Sequence, residues 1–149
     1  MRIAVSTDMR THLVDILLDE LKERGYEFNY FGPEEEGAEA DWPDVTLEAV
    51  NQVTQNEADE AIVMCWTGTG CSIVANKIPG IRAALCADAA TARGARIWNH
   101  ANVLALSLRS TSESVLDEIL DNWFNTPFSD DEWNLKQMAR IKAIEDGAS

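Results

Sequence analysis

The sequence predicts an α/β protein with a five-stranded parallel sheet covered on both faces, and three observations predict it. Short apolar runs recur along the chain, stretches with apolar residues at helical spacing follow them, and the connections are short. Parallel strands need crossovers, which the intervening helices supply in the usual right-handed sense.

Each element has its own signal. Met1 to Thr7 reads as a strand around Ile3 and Val5, and Leu13, Val14, Leu17, Leu18 and Leu21 mark the first helix, closed by Gly25. Tyr26 to Phe31 is extended and ends at Gly32-Pro33; Glu34 to Asp41 is an acidic, solvated loop. Val45, Ala49, Val50 and Val53 form a second helical face after Pro43, and Ala61 to Cys65 is a buried strand that runs into Cys65-Trp66-Thr67-Gly68-Thr69-Gly70 and a short helix through Ser72 to Asn76. Ile81 to Cys86 and Val103 to Leu106 complete the strands, with a helix over Ala87 to Trp98 between them. Ser110 with Glu113, and Ser129 with Glu132, have capping-box spacing, so helices are expected after each, the last from about Asp130. Val115, Ile119, Trp123 and Phe124 give the penultimate helix its apolar side. The whole chain, 1–149, reads as a single domain.

Composition narrows the function. The 149 residues carry 26 acidic and 12 basic side chains, a formal net charge of −14, which disfavours nucleic acid. No apolar run reaches the roughly 18 residues of a membrane span. The opening segment lacks the layout of a secretory signal, and Cys65, Cys71 and Cys86 match no zinc spacing and cannot all pair within the chain. Free thiols and a cytoplasmic setting are the expectation.

In parallel α/β sheets ligands bind beyond the carboxyl ends of the strands. Those ends are Thr7 to Arg10, Phe31 onward, Cys65 to Gly70 and Cys86 to Asp88. At the third, a thiol precedes a glycine-rich turn whose N–H groups can converge on an anion. A base beside such donors is what proton abstraction next to a carbonyl requires. Alone, the same turn also fits a structural bend or any phosphate site.

The surrounding sequence adds to this. Cys65-Trp66-Thr67-Gly68-Thr69-Gly70, then Ala75-Asn76-Lys77-Ile78-Pro79-Gly80-Ile81-Arg82-Ala83-Ala84-Leu85-Cys86, then Asn99-His100-Ala101-Asn102-Val103-Leu104-Ala105, with Asp8 and Asp41-Trp42-Pro43-Asp44, resembles the ribose-5-phosphate isomerase B and galactose-6-phosphate isomerase family over nearly the whole chain. The resemblance implies a Rossmann-like three-layer sandwich that forms homodimers or homotetramers, each site completed by the neighbouring subunit, with the C-terminal helix from about 130 at that interface. It implies a metal-independent aldose–ketose isomerase that uses no cofactor and binds a sugar phosphate. Cys65 matches the base that moves a proton between C1 and C2, Thr67, Gly68, Thr69 and Gly70 the loop around the enediolate, Asp8 and Asn99 substrate positions, and Arg109 a phosphate arginine.

The departures from that pattern are Met9 and Trp98 where the family places histidines, Trp66 for a glycine, and Trp133 and Gln137 at the aligned positions of two further arginines. Neither Met nor Trp shuttles protons. Arg10 and His100 are local substitutes, each with an alternative as an ordinary surface or turn residue. Trp42, Trp66, Trp98 and Trp133 join the candidate substrate wall, where stacking on a sugar competes with core packing. Arg93 and Arg96 read as surface or interface residues, and Cys71 and Cys86 as small buried apolar ones. Three functions follow: a sugar-phosphate isomerase with altered preference, an isomerase of a nonphosphorylated or four-carbon sugar, and a noncatalytic sugar-phosphate or nucleotide sensor.

Overall fold

Alternation of side chains along the strands decides how this sheet is covered. Ile3 and Val5, Ile62 and Met64, and Leu104 and Leu106 point to one face; Ala4, then Ala61, Val63 and Cys65, then Val103 and Ala105 point to the other. The computed structural model describes residues 1–147. Its elements are β1 (Arg2–Thr7), α1 (His12–Glu23), β2 (Glu27–Phe31), α2 (Trp42–Thr54), β3 (Glu60–Cys65), α3 (Thr69–Ala75), β4 (Ala83–Leu85), α4 (Ala89–Asn99), β5 (Val103–Ser107), α5 (Glu113–Asn125) and α6 (Glu132–Glu145). The five strands form one parallel sheet in the order β2-β1-β3-β5-β4. Helices α1, α4 and α5 cover the face of large side chains and α2 and α3 the face of small ones, a Rossmann-like three-layer sandwich. Among the described residues, no helix is long and apolar enough to cross a membrane.

Leu17, Leu21, Leu116, Ile119, Leu120 and Trp123 are fully buried against the large face. Burial of each such side chain is worth about 1.5–3 kcal/mol, so this face supplies most of the hydrophobic stabilisation. It also encloses an ion pair. Glu60 Oε1 meets Arg96 Nη2 at 2.7 Å, Trp123 Nε1 donates to Glu60 Oε2 at 2.6 Å, and Arg96 Nη1 donates to the Ala101 carbonyl at 2.7 Å. Arg96 is therefore not the surface residue expected from sequence; its guanidinium lies over the Trp123 and Phe128 rings, 4.9 and 4.4 Å from their centroids.

Element ends differ slightly from expectation. The cap of α5 is Ser112, not Ser110, because its side chain accepts the Val115 N–H. Asp131 rather than Ser129 caps α6 by accepting from Asn134, while Ser129 donates to that same carboxylate. Strand β4 spans only Ala83–Leu85. The N–H of Arg82 is taken by the Asn102 side chain, and the Asn76 amide pairs with both the N–H and the carbonyl of Ala83, covering the sheet edge.

Candidate active site

From β1 the chain passes to β2 on one side and to β3 on the other, so a crevice opens at the carboxyl ends of β1 and β3. Cys65 ends β3 there and Asp8 follows β1. Cys65 is 4% exposed, and its sulfur accepts the Cys71 N–H at 3.5 Å. Its thiol is pulled down to about 5 by the adjoining Cys71 thiol first, against the opposing effect of burial, and then by the N–H groups of Cys71, Gly68 and Gly70. The lowered pKa favours the thiolate, the form able to accept a proton.

The loop after Cys65 is held in a fixed shape. Gly68 has φ +75°, and a Cβ there would sit 2.5 Å from Leu85 Cδ1 and 2.9 Å from the Leu106 carbonyl carbon, so only glycine fits. Its N–H donates to the Cys65 carbonyl at 3.2 Å. The hydroxyls of Thr67 and Thr69 lie 2.7 Å apart at the surface, a pair that can pass a proton between two substrate oxygens. Trp66 is 52% exposed, and its carbonyl is pinned by Ser107 Oγ at 2.9 Å and the Arg109 N–H at 3.0 Å. That places Arg109, exposed at the end of β5, beside the loop. The Trp42 ring lies against Gly70.

Asp8 completes this group. Its Oδ1 is buried without a partner, and burial, followed by the charge on Cys65, raises its pKa. A buried carboxyl oxygen left without a partner beside the Cys65 turn is an acceptor free for a substrate hydroxyl. Arg10 contributes less than the sequence suggested. Asp15 holds it, 2.8 Å from Nε and 2.5 Å from Nη2, and it lies over the Tyr30 ring at 4.9 Å.

The remaining candidates lie elsewhere. Helix α4 returns to the amino end of the sheet, so Trp98, Asn99 and His100 sit where β5 begins, separated from the Cys65 end by the length of a strand, about 16 Å for five residues. Trp98 and Asn99 line a cavity of about 590 Å³ with Trp133, Asn134 and Gln137 of α6. Trp98 is 61% and Trp133 69% exposed. The Trp98 ring lies against Gly94, where a Cβ would come within 2.8 Å of Cζ3. His100 is not free to act as a ring-opening acid. Its Nε2 is 2.7 Å from the Ser129 carbonyl, its ring stacks on Phe128 at 4.7 Å, and its backbone is left-handed at φ +47° because it closes α4. The chain's other histidine, His12, pairs with Glu113 between α1 and α5, on the opposite face from Cys71 and α3.

One chain therefore brings together Cys65, Thr67, Gly68, Thr69, Gly70, Asp8, Trp42, Trp66 and Arg109, and keeps Trp98, Asn99, His100 and Trp133 apart from them. Sequence reasoning passed over Ser107 and read Cys71 only as a small buried residue, which it is, without its contact to Cys65. The spacing of Cys71, six residues beyond Cys65 and across the turn, was the available signal.

The family model described as Ribose/Galactose Isomerase matches residues 3–144. A ribose-5-P isomerase B of Listeria innocua is 35% identical over 130 residues, 87% of each chain. A D-erythrulose-4-phosphate isomerase of Pectobacterium atrosepticum is 32% identical over 127 residues, 85% of this chain and 84% of that one. The solved ribose-5-phosphate isomerase B of Clostridium thermocellum superposes with a TM-score of 0.93 over 100% of both chains at 37% identity.

Proposed function

The chain belongs to the ribose/galactose isomerase family, and from that premise we propose that it interconverts an aldose phosphate and its ketose by proton transfer at Cys65. The observation that carries this reading is the Cys65 sulfur at the carboxyl end of β3, accepting the Cys71 N–H with its pKa lowered, beside the Thr67–Gly70 turn and the unpartnered carboxyl oxygen of Asp8. In the aldose-to-ketose direction the Cys65 thiolate takes the C2 proton, and the electron pair moves through C2–C1 onto the carbonyl oxygen, giving an enediolate. The N–H groups of the turn stabilise that oxygen. Thr67 and Thr69 pass the hydroxyl proton from O2 to O1, and the Cys65 S–H returns its proton to C1. Asp8 holds a substrate hydroxyl and Arg109 the phosphate. Each proton is carried by a side chain of the protein, so the scheme calls on no metal or cofactor.

A homodimer or homotetramer fits the split between the two residue groups. Trp98 and Asn99 at the end of α4 and Trp133 on α6 are exposed at the far end of the sheet, where an interface formed by the C-terminal helix from about 130 would bring them to a neighbour's crevice. The single domain, 1–149, and a reducing, cytoplasmic setting for three free buried cysteines belong to the same reading.

A second reading has its own support. Met9 and Trp98 stand where imidazoles are expected, and within this chain His100 Nε2 lies against the Ser129 carbonyl and His12 Nε2 against Glu113, which favours a sugar that needs no imidazole to open it. A four-carbon sugar phosphorylated on its terminal hydroxyl has no hydroxyl left to close a five-membered ring and needs none. Proton NMR in heavy water with ribose 5-phosphate, erythrose 4-phosphate and free ribose, using Cys65→Ala as control, tests both. Cys65-dependent ketose formation with label uptake supports the isomerase, and a preference for the tetrose phosphate supports the second reading. Binding without exchange would instead favour a noncatalytic sensor.

A further inference from the structure

We propose that Cys71 is a positioning residue for Cys65, whose backbone N–H and thiol together keep the Cys65 sulfur aimed at the crevice and ready to take a proton. This rests on reading Cys65 as the base. Three hydrogen bonds close a ring between the two cysteines and the loop. Gly68 N–H donates to the Cys65 carbonyl at 3.2 Å, Cys71 Sγ donates to the Gly68 carbonyl at 3.2 Å, and Cys71 N–H donates to Cys65 Sγ at 3.5 Å. The Val63 carbonyl, 3.6 Å away, is a second acceptor for the Cys71 thiol. Cys71 thus ties the nucleophilic sulfur to the glycine turn that would hold the enediolate, and a shift in the one is transmitted to the other.

Packing alone does not require a thiol here. Cys71 is fully buried among Ala49, Ala75, Val63 and Ala105, a setting in which valine or alanine would serve. What the sulfur adds is a proton. While Cys65 is neutral the Cys71 S–H rests on the Gly68 carbonyl; when Cys65 is charged the same S–H can leave that carbonyl and turn toward the sulfur, exchanging one hydrogen bond for a charge-assisted one. The groups that face Cys65 with a charge or a titratable proton are Asp8 from the end of β1, with Glu39 behind it, and Cys71 from α3. Asp8 opposes a second negative charge, so Cys71 is the side chain that favours the thiolate. Its interaction with the Cys65 sulfur first, then burial and that neighbouring charge, push the Cys71 pKa up and favour its protonated form.

The test uses the full chain with Cys71 changed to Ala, Val or Ser, and follows the ultraviolet absorbance of the Cys65 thiolate and its rate of alkylation by iodoacetamide against pH, each corrected with Cys65→Ala. Serine keeps a donor, and valine keeps bulk without one. The Ala and Val variants are expected to titrate about one pH unit or more above wild type, a tenfold loss of thiolate on the acid side, and Ser to stay near wild type. The acid limb of kcat/KM should move by the same amount. If valine restores the wild-type titration, or if all three variants titrate as wild type, Cys71 is packing only and the proposal falls. These titrations are read without turnover, so a protein that isomerises no sugar would overturn the activity while leaving the Cys71 result intact.

Discussion

The two faces of the sheet are made from the same strands and do different things. One is lined by Ile, Leu and Met and buries Trp123 with the Glu60–Arg96 pair; the other is lined by Ala, Val and Cys. Large side chains hold helices at a distance and supply hydrophobic burial, whereas small ones let a helix approach until its backbone N–H groups reach side chains on the strand. Cys65 lies on the small face, where the Cys71 N–H meets its sulfur. Stability and chemistry are thereby separated by the pleat, one residue apart.

Four changes would break or sharpen that contrast. Cys65→Ala should lower kcat by about 10²–10⁴-fold, the usual weight of a positioned base, while the denaturant midpoint stays close to wild type. Trp123→Ala on the large face should do the reverse, with a loss of about 3–5 kcal/mol in urea unfolding from the cavity and from the hydrogen bond taken from Glu60, and with kcat/KM of the folded fraction little changed. Ala105→Leu should cost about 1–3 kcal/mol by overpacking and also lower activity, because α3 would be pushed from the sheet. Arg109→Ala should reduce kcat/KM by about tenfold for a phosphorylated sugar and leave a neutral one unaffected, measured with matched substrates.

The pH profile probes the small face without mutation. As the proposed base Cys65 must be deprotonated, and its pKa is held down to about 5. The rate should therefore be level above that value and fall about tenfold per unit as the pH drops below it. A limb near the ordinary thiol range of about 8.5 would show that the loop does not hold the thiolate.

Most of the architecture was legible in the sequence, because strands and helices in a parallel sheet announce themselves by apolar runs and helical spacing. The Cys65–Gly70 turn was legible for the same reason, since a glycine-rich strand-to-helix junction is local. What failed was long-range. Nothing near His100 signals that the Ser129 carbonyl, 29 residues away, takes its Nε2, and nothing near Arg96 signals the buried Glu60 of β3. Arg10 was lost to Asp15 by a side-chain pairing that several rotamers could have avoided. The division of the candidate residues between two ends of the sheet follows from topology: a helix after β4 must run back to the amino ends, whatever its residues resemble.

Gly94 bears on the last of these. Glycine inside a helix costs about 1 kcal/mol relative to alanine, yet here it sits mid-way along α4 under the Trp98 ring. Replacing it with alanine would strengthen the helix and tilt the indole, since a methyl group cannot share that space. A residue with no side chain thus sets the attitude of an exposed indole, and a thermostabilising screen that kept Gly94→Ala would reshape that surface unseen.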